Sequence, residues 1–384
     1  MQHIQADEYH RNKSVSLTVL QALPALEVGG VERGTLEIAA ELVRHQHRSI
    51  VISAGGSMVE QLAGEGSEHL EMPIGKKSPI SLLYVKQLRK MLIENQVDIL
   101  HARSRMPAWI CYLAWRGMDT ATRPHFLTTV HGPYTVNKYS AVMTYGERVI
   151  AISHFIKDYI LKNYPSVNNN KIEVIYRGVD QQQYWPDFKP DHDWLNKWQA
   201  DFPWFKNKYL VTLPARITHW KGHEDFICII NKLIQRGVPA HGIIAGGYHP
   251  GRTRFYNLLN KQIAALGLEK SITFIGHRHD LKEVMSVSQI ILSLAKEPEA
   301  FGRTALEALS LGVPVIAYDH GGATEVLAQM FPPGRIVVGD TESAVNKIEE
   351  FYHQPPLVTS ENPFTLQHML NQTLGVYTKI AGID

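Results

Sequence analysis

Short β-branched runs separated by longer stretches of helical period recur along this chain. The first series comprises Ser16–Leu20, Ser49–Ser53, Asp98–His101, Phe126–Val130, Val149–Ile152 and Ile172–Ile175. A second comprises Tyr209–Leu213, Gly242–Ala245, Ile272–Ile275, Ile290–Leu294, Val315–Ala317 and Ile336–Val338. Strands alternating with helices predict the α/β class, here two doubly wound parallel sheets facing each other across a cleft. Between the series, Arg177–Phe205 is rich in Asp, Gln, Pro and Trp and lacks a clean period, as expected of a linker and domain entry. After Pro363, the residues Leu366, Met369, Leu370, Leu374 and Tyr377 form a helical stripe able to pack back on the first domain. The expected boundaries are a polar tail over 1–13, a first domain over 14–180, a linker over 181–205, a second domain over 206–362 and a closing helix over 363–384.

At 384 residues the chain exceeds what one core usually supports, which agrees with two domains. With 44% apolar residues, 20% charged residues and a net charge of +2, it lacks the strong global field of a nucleic-acid binder, so any anionic partner must be met locally. Cys111 and Cys228 lie far apart with no Cys-x-x-Cys, the pattern of reduced, buried thiols in a cytoplasmic protein. Met1–Lys13 has no signal-peptide core and no 18 apolar residues run together, so neither export by that route nor a membrane span is expected. The segment Lys76–Lys90 combines five cations with Ile80, Leu83, Val85 and Leu88. It reads either as a solvated amphipathic helix or as a peripheral contact with the anionic inner face of the cytoplasmic membrane.

Candidate chemistry concentrates in Glu297-Pro-Glu-Ala-Phe-Gly-Arg-Thr-Ala-Leu-Glu307. A buried strand precedes it, and a helix over Arg303–Leu311 follows, closed by Gly312 with Pro314 beyond. Glu299 therefore falls on the strand-to-helix loop and Glu307 in the first turns of the helix. The N–H groups of Ala300, Phe301 and Gly302 belong to a helix N-terminus that favours a diphosphate, and Gly302 permits close approach. Arg216 and Lys221 occupy the loop leaving Tyr209–Leu213, where open α/β sheets bind ligands, and supply a planar fork and a mobile charge for a diphosphate. Gly29 and Gly30 form a comparable loop before a helix with Ile38, Ala39 and Leu42 on one face. Neither Gly-x-Gly-x-x-Gly nor Gly-x4-Gly-Lys-Ser/Thr occurs, which speaks against a dinucleotide dehydrogenase and a P-loop NTPase. Asp191-His-Asp193 lies between a proline and Trp194 in the linker, and His277 with His279 lacks further ligands at useful spacing, so no metal site is expected.

In this order, the Gly29–Gly30 loop, Val130-His131-Gly132, Arg216 with Lys221, the Glu-x7-Glu segment, Gly312-Val-Pro-Val-Ile-Ala and His320-Gly-Gly-Ala closely resemble glycosyltransferase family 4 of the GT-B architecture. The resemblance spans nearly the whole chain and implies two Rossmann-like domains. It implies a retaining, metal-independent and cofactor-free transfer of a sugar from a UDP- or GDP-linked donor to a glycan or lipid-linked acceptor hydroxyl. Arg216 and Lys221 would then hold the diphosphate, Glu307 the ribose and Glu299 the hydroxyls of the moving sugar. Gly30 would line the diphosphate, His131 would lie near the donor sugar, and the loop from Gly276 and His277 to Leu281 would embrace the base. Two departures, Arg177 in Tyr176-Arg-Gly-Val-Asp180 and the pair Arg103-Ser-Arg105, resemble a bacterial envelope-polysaccharide and lipopolysaccharide branch. Arg103 or Arg105 would face an anionic acceptor or donor, or else be solvated or salt-bridged. A nucleotide-sugar 2-epimerase of the same architecture and a non-catalytic sugar-nucleotide binder are the competing readings. The second fits poorly with the presence of Arg216, Lys221 and Glu307 together.

Overall fold

The computed structural model describes residues 16–27, 29–248 and 253–383; the polar tail expected over 1–13 lies outside them. The chain divides into two compact units, the first made of residues up to Ile152, Ile156–Ile175 and Leu370 onward, the second of Ser153–Phe155 and Tyr176–Met369.

The first unit carries strands β1 (Thr18–Ala22), β2 (Arg48–Ser53), β3 (Glu68–Glu71), β4 (Ile99–Ala102), β5 (His125–Val130), β6 (Arg148–Ala151) and β7 (Ile172–Val174). They form one parallel sheet in the order β3-β2-β1-β4-β5-β6-β7. Its helices are α1 (Gly30–Arg44), α2 (Val59–Gly64), α3 (Leu83–Glu94), α4 (Arg105–Arg116), α5 (Lys138–Ala141) and α6 (His154–Asn163), the last beginning in the short piece that groups with the second unit. The inner strands are buried on both faces, which is why they read as continuous apolar runs. Sheet order reverses between β1 and β4, a topological switch point with Gly29–Gly30 and Arg103–Arg105 just past the carboxyl ends of its two strands.

The second unit holds β8 (Tyr209–Leu213), β9 (Ala240–Ala245), β10 (Ile272–Gly276), β11 (Ile290–Ser293), β12 (Val315–Tyr318) and β13 (Arg335–Ile336). They too are parallel, in the order β10-β9-β8-β11-β12-β13, with the switch between β8 and β11. Its helices are α7 (His192–Asp201), α8 (His223–Gln235), α9 (Thr253–Ala265), α10 (Leu281–Ser286), α11 (Arg303–Ser310), α12 (Gly321–Met330), α13 (Thr341–His353) and the start of α14 (Leu366–Ala381).

Two segments differ from the sequence reading. Residues 191–205, expected as linker, form α7 and a following turn that pack into the second unit. The Asp191 carboxylate accepts the Trp194 N–H at 2.8 Å and caps the helix. Trp198 and Phe205 are then buried with Leu210, Ile243 and Val284. Strand β3 escaped notice because Glu68–Glu71 is polar and partly exposed, lying at the sheet edge with one neighbour. At the other end of the chain, the stripe on α14 is buried from Met369 to Tyr377. Within the first unit, Tyr377 places its hydroxyl 2.7 Å from His101 Nδ1, while His101 Nε2 lies 2.7 Å from Thr129 Oγ1. Cys111 is buried, as expected, but Cys228 is only half-buried.

Candidate active site

In the second unit, the loops leaving β8, β11 and β12 are locked to one another by backbone contacts that only glycine allows. The β8 loop ends at Gly222, whose φ of +73° is left-handed and whose absent Cβ would stand 2.1 Å from the Leu294 carbonyl oxygen. The Lys296 N–H donates to the Trp220 carbonyl at 2.6 Å, tying the β8 and β11 loops together. Gly302, with φ of +86°, begins α11, and a Cβ there would lie 2.7 Å from Ala323 Cα in α12. Gly322 donates its N–H to the Glu299 carbonyl at 2.7 Å, and a Cβ on it would meet the Ala300 carbonyl at 2.4 Å. The glycines of His320-Gly-Gly-Ala are thus required by the loop they cradle. His320 adds a ring contact from Nε2 to the Ala295 carbonyl at 2.6 Å.

This scaffold brings Lys221 and Glu299 together. Lys221 and Glu299 form an ion pair in which each side chain is about one-fifth exposed (19% and 17%). The Lys221 ammonium also stands 4.2 Å from the centre of the Trp220 ring. Glu307, one turn into α11, is 8% exposed and accepts Arg303 Nε at 3.0 Å. The N–H groups of Ala300, Phe301 and Gly302 have no acceptor among the described residues, so three donors are available at the positive end of α11. Arg216 is exposed and forms no ion pair with a described residue. Chemically the arrangement offers cations and amides for an anion, and carboxylates for hydroxyls.

Supporting groups that sequence reasoning missed lie behind the loop. Ser153 donates to the Ala300 carbonyl at 2.6 Å. Glu325 of α12 accepts the N–H groups of His154 and Phe155 and the Tyr176 hydroxyl at 2.7–2.9 Å. Burial, then the bond to Glu325, raises the Tyr176 phenol far above its ordinary range and keeps it protonated as a donor. The Phe301 ring points inward against Tyr176 and Phe364, so only its backbone faces the helix mouth. Apart from Phe301 with Phe364, these partners are more than a hundred residues apart in sequence, and none carries a local signal.

The Gly276–His279 loop leaves β10 through a left-handed turn at Gly276, and the His277 and His279 rings meet edge to face at 4.9 Å. Burial depresses His223 and His241 to about 4, with the Lys221 charge adding for the former and the Lys208 charge for the latter. Both rings are therefore neutral at neutral pH.

The remaining expected residues lie on the first unit. Gly29 and Gly30 open α1; the Glu32 carboxylate folds over Gly29, whereas Gly30 is exposed and open. His131 is half-buried beyond β5, its N–H 3.3 Å from the Tyr134 hydroxyl. Arg103 is fully buried and donates Nη1 to Gln21 at 3.0 Å, while Arg105 is the first residue of α4.

Two parallel doubly wound units, with a cation, amide and carboxylate cluster at the carboxyl edge of the second, define an α/β protein of the GT-B glycosyltransferase class. The description "Glycosyltransferase Family 4" matches residues 28–183 and "Glycosyl transferases group 1" matches residues 196–362. A glycosyltransferase from Rickettsia africae ESF-5, of known crystal structure, is 33% identical, covering 95% of this chain and 99% of its own, with a TM-score of 0.82. HepE from Anabaena, solved with UDP and glucose, shares the fold at 20% identity, covering 94% and 99% of the two chains, with a TM-score of 0.78. The N-acetyl-alpha-D-glucosaminyl L-malate synthase of Bacillus anthracis is 25% identical over 280 residues, 70% of this chain and 69% of that protein. The chain belongs to the family 4 type of glycosyltransferases.

Proposed function

We propose that this glycosyltransferase moves a sugar from a UDP- or GDP-linked donor to an acceptor hydroxyl with retention of anomeric configuration and without a metal ion. The observation that carries this reading is the meeting of Lys221, Glu299 and the three open N–H groups at the mouth of α11, with Glu307 one turn behind. HepE, a neighbour in fold, is solved with UDP and glucose, which supports a nucleotide-sugar donor.

Arg216, Lys221 and the N–H groups of Ala300–Gly302 stabilise the diphosphate as its charge grows. Glu307 accepts from the ribose, Glu299 from the hydroxyls of the sugar, and Gly276 with His277 meets the base. For His131 the proposed role is a contact with the donor sugar, and for Gly29 and Gly30 close approach of the diphosphate. The acceptor oxygen forms its bond to the anomeric carbon on the face from which the diphosphate departs, and the departing phosphate oxygen takes the proton. No protein nucleophile is needed, so the rate rests on positioning and on charge stabilisation.

The Arg177 and Arg103-Ser-Arg105 departures support a place in lipopolysaccharide or other envelope-glycan synthesis. For location, we propose the cytoplasm with peripheral attachment to the inner face of the membrane. Lys76, Lys86 and Lys90 are exposed, as are Leu82 and Leu83 at 54% and 72%, and no described helix is long and apolar enough to cross a bilayer. The test is product analysis with UDP-, GDP- and ADP-sugars, with and without EDTA. A chelator-insensitive product with the donor's anomeric configuration is expected. An inverted product, strict metal dependence, or release of an epimerised sugar nucleotide without acceptor overturns the reading.

A further inference from the structure

The two arginines of Arg103-Ser-Arg105 have separate fates. Arg103 is fully buried and bonded to Gln21. Arg105 instead starts α4, half-buried, with its guanidinium 4.7 Å from the centre of the Tyr134 ring and 5.6 Å from that of Tyr139. A third cation joins it from a distant loop: the exposed Lys77 places its ammonium 4.8 Å from the Tyr139 ring.

Neither Arg105 nor Lys77 pairs with a carboxylate among the described residues, in contrast to Lys221 and Arg303 of the second unit. An arginine laid over aromatic faces keeps its in-plane N–H fork available, and that fork matches the two oxygens of a carboxylate or phosphate. The platform is held from both sides. Trp109, one turn along α4, donates Nε1 to the Tyr139 carbonyl at 2.8 Å, and the Tyr159 hydroxyl donates to the Tyr134 carbonyl. Ser104 makes no side-chain cap, leaving the first N–H groups of α4 beside Arg105. The cluster lies just beyond the carboxyl ends of the paired strands β4 and β5, the edge at which open α/β sheets receive ligands.

We propose that Arg105 and Lys77, mounted on Tyr134 and Tyr139, form an anion-selective subsite, and that the acceptor of this enzyme carries a phosphate or carboxylate group. The word acceptor rests on the transfer reading above; anion selectivity does not, and is measured without donor.

The test titrates the full chain with glucose 6-phosphate, glucuronate, inorganic phosphate and glucose by calorimetry at low salt, and in parallel with phosphatidylglycerol vesicles. Anionic sugars should bind about tenfold or more tighter than glucose, in line with one charge-assisted bidentate contact. Arg105→Gln should remove that preference, Arg105→Lys should restore part of it, and Lys77→Gln should weaken it a few-fold. The relative rank of glucose 6-phosphate and glucuronate identifies the anion. The thermal shift produced by UDP, which reads the second unit, should be the same in all of these variants. That shift fails alone if the donor reading is wrong and leaves the anion result standing. If Arg105→Gln misfolds, Lys77→Gln, on an exposed loop, still tests the idea. Equal binding of neutral and anionic sugars overturns the proposal, as does anion binding that survives Arg105→Gln or disappears in Lys221→Ala. Vesicle binding that depends on Arg105 while no sugar anion binds assigns the cations to a lipid surface and overturns it too.

Discussion

The carboxyl edges of the two sheets are built alike and charged differently. In the second unit two of the site's cations have protein partners, Lys221 with Glu299 and Arg303 with Glu307, set on loops whose glycines touch neighbouring backbone, while Arg216 forms no ion pair with a described residue. In the first unit Arg105 and Lys77 rest on tyrosine rings with no carboxylate beside them among the described residues. A paired site is electrostatically quiet until a ligand exchanges partners with it, whereas an unpaired one attracts an anion outright. The difference suits the proposed nucleotide-sugar donor, whose hydroxyls and phosphates are recognised at once, and the proposed acceptor selected by charge.

The largest expected effect is on turnover. Lys221→Ala should lower the transfer rate by roughly 10²–10³-fold, the usual cost of losing one group aimed at developing charge. Steady-state rates check this, and a rate within threefold of the parent would make the paired site of the second unit incidental. Acid should next weaken the second unit more than the first, where burial also lowers His47 and His69 but less far. His223 and His241, both in the second unit, sit near pKa 4 in the fold through burial. Below the unfolded value of about 6.5 the unfolded chain binds protons that the folded chain refuses until about pH 4, so stability falls as pH drops through that window. The loss should be on the order of 2 kcal/mol per ring by pH 5, read from denaturant midpoints followed by tryptophan fluorescence. A flat midpoint between pH 7 and 5 would remove this asymmetry.

Backbone locking comes third. Gly222→Ala and Gly302→Ala should each cost roughly 1–3 kcal/mol, because both glycines are left-handed and abut backbone. Gly30→Ala, which faces open space, should cost much less. Smallest is Tyr377→Phe, which removes one buried hydrogen bond to His101 and should cost about 1 kcal/mol.

Sequence legibility divided instead between local patterns and contacts of distant segments. The strand series was readable because buried parallel strands are apolar runs, and α11 was expected over Arg303–Leu311 against Arg303–Ser310 observed. The Glu-x7-Glu segment and its glycines announced themselves because close backbone contact permits no other residue. Helix α7 was hidden by composition, although Trp194, Trp198 and Phe202 keep a four-residue spacing that bears the buried face. The differing fates of Arg103 and Arg105, and the arrival of Lys77 over Tyr139, depend on contacts between distant segments. No local pattern encodes them.

The central claim is that the second unit grips the nucleotide through Lys221, the α11 mouth and Glu307. Amide hydrogen exchange with and without UDP tests it most directly. Protection is expected at 216–222, 276–279 and 299–307, and it should be lost in both Lys221→Ala and Glu307→Ala. Protection that misses 299–307, or that persists undiminished in both variants, would contradict the account.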